Sequence, residues 1–152
     1  LFEVFDTELK SVYDSPHNLV WYDEDQNKYL HRKGSCPANA GELVMIPGSM
    51  GTASCLALGR GFDGTMSSSA HGAGRVLNRN AARAVSDVAA LHVVTKIDPD
   101  RVRPDIAKEV IKTLNEEAPS AYKDIGEVIS TSESAGILNV VAWLEPILTV
   151  KG

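Results

Sequence analysis

The stretch SSSAHGAGRVLNR, residues 67–79, sets a histidine between a serine run and a pair of glycines, with arginines following at 75 and 79. A neutral imidazole at His71 can serve as acid, base, metal ligand or nucleophile. Gly72 and Gly74 carry no Cβ and let a ligand come close to the backbone, while the guanidinium groups favour an anion. Arg75 and Arg79 are four apart and share a face if a helix has begun there. A histidine that closes a tight turn with one hydrogen bond would have similar neighbours, so this stretch supports a structural role as well as a chemical one.

PGSMGTAS (47–54) is the second such stretch, with two glycines, two serines and a threonine between apolar runs. Backbone N–H groups in a turn of this kind, with hydroxyls alongside, can surround a phosphate. The same composition makes an ordinary hairpin, and the lysine of a G-x-x-x-x-G-K-[ST] loop is absent. SPHNLV (15–20) places His17 beside Asn18, as a metal ligand with polar support or as a histidine filling a core gap. HRKG (31–34) lines up His31, Arg32 and Lys33 as phosphate contacts or as a solvated strand end. Tyr122 in SAYKDI offers a ring for a core or for stacking on a base, Lys151 lies in the terminal VKG, and His92 reads as structural. Together these residues support a glycine-rich, histidine-containing anion site, with or without a metal, and they do not select a reaction.

Several elements must position these groups. KYLHRKG (28–34) alternates loosely and predicts a strand, and 41–61 predicts strand, glycine-rich turn, strand. Asn78 is placed to cap a helix through NRNAARAVSDVAALHV. RPDIAKEVIKTLNEEAP predicts a helix, with Ile106, Val110, Ile111 and Leu114 on one face and Pro119 after its end. A shorter helix is expected over Lys123–Ser130, and ILNVVAWLEPILTVKG reads as one or two closing strands. Strands and helices are mixed without regular βαβ alternation, so the fold class is α+β.

Bulk composition removes several classes. The 152 residues, 43% hydrophobic and 23% charged, suffice for one modest core. No apolar run reaches the roughly 18 residues of a membrane helix. Two cysteines, Cys36 and Cys55, argue against a disulfide framework and for a reduced, cytosolic setting. A formal net charge of −5 argues against non-specific nucleic-acid binding over a basic surface but leaves room for a local basic site.

The order of HN (17–18), HRKG (31–34), IPGSMGTAS (46–54), HGAGR (71–75) with its following arginine, EEAPSAYKDI (116–125) and VKG (150–152) closely resembles the RtcB family of RNA-splicing ligases. The resemblance implies a GTP- and Mn²⁺-dependent enzyme that joins an RNA 3′-phosphate or 2′,3′-cyclic phosphate to a 5′-hydroxyl through a covalent histidine–GMP. It implies that His71 is the nucleophile and His17 a manganese ligand. By the same match, Ser49, Ser54, Ala73, Gly74, Tyr122 and Lys151 contact the nucleotide, with Tyr122 stacking on guanine and Lys151 reaching the base. Arg79, and more weakly Arg75, would meet RNA phosphates. Archease is an activating partner of some members, and the setting implied is cytoplasmic. Family members are two to three times longer, and their upstream part supplies further metal ligands. The chain, which begins at Leu1 within an apolar pattern, is therefore expected to be the C-terminal portion of such a protein, inactive alone, with apolar surface and strand edges left uncovered. A non-catalytic remnant that binds phosphate or nucleotide is the alternative. A metal-dependent hydrolase using the same histidines is a third reading.

Overall fold

The computed structural model describes residues 13–16, 18–24, 26–85, 105 and 113–146. It begins with a β-hairpin, β1 (Asn18–Asp23) against β2 (Lys28–Lys33), running from Asn18 opposite Lys33 to Asp23 opposite Lys28. The turn uses Asn27 at φ 51°, a conformation asparagine tolerates, and the Asp23 carboxylate accepts the Gln26 N–H at 3.0 Å. The expected strand at 28–33 is present. Its partner β1 was not legible, because NLVWYD shows no clean alternation and is largely exposed.

Gly34, at φ +69°, turns the chain from β2 into β3 (Ser35–Pro37), which pairs with β6 (Ser68–Ala70). The third sheet has the order β4 (Leu43–Ile46), β5 (Ser54–Gly59), β7 (Leu138–Leu144). Both of its pairings are antiparallel, with an irregularity at Leu56/Ala57. The predicted strand, glycine-rich turn, strand is therefore β4 and β5 with their connection, and the hairpin reading of residues 47–53 holds as geometry. Short strands in antiparallel pairs beside separate helices fit the α+β class.

Two α-helices are described. α1 (Arg79–Val85) starts where Asn78 was expected to cap it, and the Asn78 side chain accepts the Ala81 N–H at 2.9 Å. Arg75 precedes this helix, so the two arginines do not share a helical face. α2 (Ile125–Ser134) is capped by Asp124, whose carboxylate accepts the Glu127 N–H at 3.1 Å. It therefore starts two residues later than expected. It also runs four residues further, to a stop where Gly136 adopts φ +74°. The helices expected beyond residue 85 and over 103–112 lie outside the described residues, apart from Asp105 and a helical turn at 113–115.

The core gathers Cys36, Val44, Ile46, Cys55, Ala57, Ala73, Ile129 and Leu138, with Tyr122 and Val140 packed on it. Each fully buried large side chain, such as Ile46 or Leu138, contributes about 1.5–3 kcal/mol. Ala73, 4% exposed, carries the histidine stretch into this core. Both cysteines are free and buried, and burial pushes both thiols above the ordinary thiol range. Val141, Trp143 and Leu144 on β7 are exposed, and no further strand pairs with β7 on its outer edge among the described residues. Among the same residues no helix is long and apolar enough to cross a membrane.

Candidate functional site

Three stretches far apart in sequence meet along residues 71–77. On one side, the Ala73 N–H donates to the Pro47 carbonyl at 3.0 Å, which fixes the histidine stretch against the glycine-rich turn. On the other, Val76 and Leu77 N–H groups donate to Ala121 at 3.0 and 3.2 Å, and the Lys123 N–H donates to Gly74 at 2.9 Å. Arg75 and Tyr122 form an isolated antiparallel bridge. A fourth element arrives through Gly34, whose missing Cβ would lie 3.6 Å from both Cδ2 and Nε2 of His71. The glycine of HRKG thus leaves room beside the imidazole, a role that sequence reading did not assign to it.

His71 is exposed while Ala73 is 4% exposed. An accessible imidazole on a backbone anchored two residues away is well placed to react or to bind. Gly74, at φ +75° with nothing within 4 Å of its would-be Cβ, bends the chain where a side chain would be strained by the backbone conformation alone.

The turn at 47–53 is internally hydrogen-bonded. Gly48 N–H reaches Ser54 Oγ at 3.4 Å, Ser49 N–H reaches Thr52 Oγ1 at 2.7 Å, and Gly51 N–H reaches Ser49 Oγ at 3.2 Å. A Cβ on Gly48 would overlap the Ala53 carbonyl and the Thr52 hydroxyl, so only glycine fits there. This turn borders a cavity of about 440 Å³ whose walls include Ser49, Ser54, Glu117 and Tyr122. That volume lies within the range of small-molecule sites, roughly 300–1,000 Å³. Its walls combine the Ser49 and Ser54 hydroxyls and the Tyr122 ring with the Glu117 and Glu145 carboxylates and the apolar Met45, Leu144 and Pro146. A larger recess of about 700 Å³ lies under the β1–β2 hairpin, away from His71.

The acidic pair Glu116 and Glu117 organises the arginines. The Glu116 side chain, only 5% exposed, receives Arg83 Nε at 2.5 Å and Arg79 Nε at 3.4 Å. Arg75 donates to the Glu116 carbonyl at 2.7 Å, to Glu117 Oε1 at 3.1 Å and to Tyr122 Oη at 2.8 Å. Its guanidinium also lies 4.6 Å over the Tyr122 ring. Tyr122 in turn donates its hydroxyl to Glu117 Oε2. Burial, together with this carboxylate, pushes the phenol up to about 12. Sequence reading missed both glutamates. The available signal was arginine at 75, 79 and 83, a spacing of four, facing an acidic pair in EEAP.

HRKG resolves into separate jobs. Arg32 is 6% exposed, donates to Ser68 Oγ at 2.9 Å and to the Met66 and Ser67 carbonyls, and lies 4.8 Å over the Trp21 ring. It ties the hairpin to the β6 region, while His31 and Lys33 are exposed. Burial lowers the Arg32 pKa, and the Glu42 carboxylate offsets part of that effect.

The site residues expected from sequence therefore divide. Ser49, Ser54 and Tyr122 line the cavity, Ala73, Gly74 and Arg75 are tied to Pro47, Lys123 and Tyr122, and His71 lies beside Gly34, two residues from Ala73 and outside the cavity lining. Arg79 stands at the start of α1 with its side chain 74% exposed. His17 and Lys151 lie outside the described residues. Among the described residues no group of three His, Cys, Asp or Glu side chains could hold a metal ion, so these residues do not by themselves make a metal site.

The described residues thus set an exposed histidine, a hydroxyl-bearing turn, Arg75 and the Tyr122 ring on neighbouring segments. The sequence matches the family described as tRNA-splicing ligase RtcB over residues 2–152, and the chain belongs to that family. It is 36% identical over 166 residues to a tRNA-splicing ligase RtcB from Nanoarchaeum equitans, covering 95% of this chain and 34% of the relative. A protein of the same description from Thermococcus kodakarensis is 33% identical, with 97% of this chain and 34% of the relative covered. An RNA-splicing ligase RtcB homolog 2 from Entamoeba dispar is 34% identical over 97% of this chain and 31% of its own length. The chain thus spans about a third of the curated relatives it matches.

Proposed function

We propose that this chain is the C-terminal, nucleotide-accepting portion of a GTP- and Mn²⁺-dependent RNA ligase that joins 3′-phosphate or 2′,3′-cyclic phosphate ends to 5′-hydroxyl ends in the cytoplasm. The observation that carries the reading is the convergence of the His71, Pro47–Ser54 and Tyr122 stretches on one another, beside a cavity of nucleotide size. In this scheme a nitrogen of the His71 imidazole attacks the α-phosphate of GTP. A P–N bond forms as the bond to the β-phosphate breaks, and pyrophosphate leaves. A 2′,3′-cyclic end is first opened by water to the 3′-phosphate. The GMP passes to that phosphate, and the 5′-hydroxyl then displaces it, closing the phosphodiester and releasing GMP.

The residues of this chain have distinct tasks in that scheme. Ser49 and Ser54 exchange their internal hydrogen bonds for phosphate or base contacts. Ala73 and Gly74 keep side chains away from the nucleotide, and Tyr122 and Lys151 contact guanine. Arg79, exposed at the start of α1, meets RNA phosphate. Mn²⁺ would offset charge on the α-phosphate. His17 would be one ligand for it, with further ligands supplied from outside this sequence. The exposed Val141, Trp143 and Leu144 leave apolar surface that other segments, within this sequence or beyond it, could cover.

The test uses the complete polypeptide with GTP labelled at the α-phosphate and Mn²⁺, and His71→Ala beside it. Acid-labile, alkali-stable label that requires His71 supports the ligase. Its absence from the complete protein leaves the second reading, a nucleotide-binding relative without turnover.

A further inference from the structure

We propose that Arg75 and Glu117 are positioning residues that hold the Tyr122 ring in the wall of the nucleotide cavity, so that Arg75 serves the nucleotide end of the reaction and not an RNA phosphate. The proposal rests on the reading of that cavity as the nucleotide site. Its basis is a closed three-membered contact. Arg75 Nη2 donates to Tyr122 Oη at 2.8 Å and to Glu117 Oε1 at 3.1 Å, while the Tyr122 hydroxyl donates to the other Glu117 oxygen. Arg75 Nη1 is directed to the Glu116 carbonyl at 2.7 Å.

The guanidinium therefore meets a carboxylate, a phenol and a carbonyl before any ligand arrives, and its side chain is 24% exposed. Taking a phosphate in their place would break charge-assisted bonds, which are about twice as strong as neutral ones. Arg79 has one ion pair at 3.4 Å and an exposed side chain, and it is the freer of the two for an outside anion.

Ring and histidine are also coupled through the main chain. Arg75 and Tyr122 form the isolated bridge, and Gly74 accepts the Lys123 N–H at 2.9 Å. His71 lies three residues from Gly74 on the same pinned segment. With the guanidinium 4.6 Å over the ring, one ring face is occupied by arginine, which leaves the edge or the opposite face for a base. Lysine has no planar fork to bind Glu117 and Tyr122 together, so Arg75→Lys is not conservative here.

The experiment takes the complete polypeptide and three variants, Arg75→Lys, Glu117→Gln and Tyr122→Phe. For each, the rate of label transfer to the protein is measured against GTP concentration. Binding of a fluorescent 3′-phosphate oligoribonucleotide is measured separately without GTP. All three variants are expected to raise KM for GTP roughly tenfold, with the saturating rate and the RNA Kd each within about threefold. Glu117→Gln combined with Tyr122→Phe should be no worse than the poorer single change. A weakened RNA Kd in Arg75→Lys with GTP KM unchanged would overturn the proposal, as would additive effects of the pair.

If the wild-type protein takes no label, the ligase reading fails. The positioning contact is then judged from thermal unfolding of the same pair: non-additive losses of Tm uphold it, and additive losses overturn it.

Discussion

Replacing Gly34 with alanine tests whether the space beside His71 is functional. Gly34 sits at φ +69°, where an L-residue with a Cβ costs about 1–2 kcal/mol, partly offset by the stiffer unfolded chain. The added methyl would lie 3.6 Å from His71 Cδ2 and Nε2, ordinary van der Waals contact, so no further clash is added to that cost. The net loss is therefore about 1 kcal/mol, or roughly 2–4 °C in Tm for a domain of this size. Reactivity should suffer more. A phosphorus approaching the imidazole must come within about 3–3.5 Å of the attacking nitrogen, and the methyl stands at the Nε2 edge. Label transfer from GTP is expected to fall about tenfold, equivalent to roughly 1.4 kcal/mol of barrier. Gly41→Ala is the matched control. Gly41 has φ +77°, yet nothing lies within 4 Å of its would-be Cβ, so the same loss of Tm should leave labelling intact. Full-rate labelling in Gly34→Ala, or equal losses in both variants, would refute the argument that this glycine clears space for the histidine.

Further outcomes follow from other contacts. Asn78→Ala removes the side chain that accepts the Ala81 N–H and should cost about 1 kcal/mol, seen as a lowered Tm that Asn78→Asp largely restores. Tyr122 has its phenol pushed up to about 12, above the unfolded value near 10, so the protonated form is favoured by folding. That contribution is complete below pH 10 and is lost as pH rises from about 10 to 12. Denaturant unfolding of Tyr122→Phe should therefore show a shallower alkaline decline than wild type, and parallel curves would contradict the assignment. Cys36 and Cys55, buried with raised thiol pKa values, should resist a thiol-specific reagent at pH 8 in the native protein and both react in denaturant.

Local chemistry made several elements legible in the sequence. Asn78 before an alanine-rich run marked the start of α1, and alternating KYLHRK marked β2. Glycine and proline between apolar runs marked the β4–β5 connection. These signals work because capping, alternation and turn geometry depend on residues within about four positions. The ends of α2 were less legible. Asp124 took the cap and Gly136 the stop, which moved the helix from the expected Lys123–Ser130 to Ile125–Ser134. Strands β1, β3 and β6 were missed because their partners, not their own patterns, hold them.

The site shows the same division. The residue types at 71–75, 47–54 and 122 suggested an anion site, and the order of the motifs carried the family, because motif content is written in the chain itself. Only the tertiary structure set Gly34 against His71, buried Arg32 beneath the hairpin and engaged Arg75 with Glu117 and Tyr122. Each of these pairings spans more than 30 positions, apart from the Glu117–Tyr122 contact. Contacts across such separations depend on how the sheets and the core close around Ala73, and no local pattern of charge or periodicity encodes that closure.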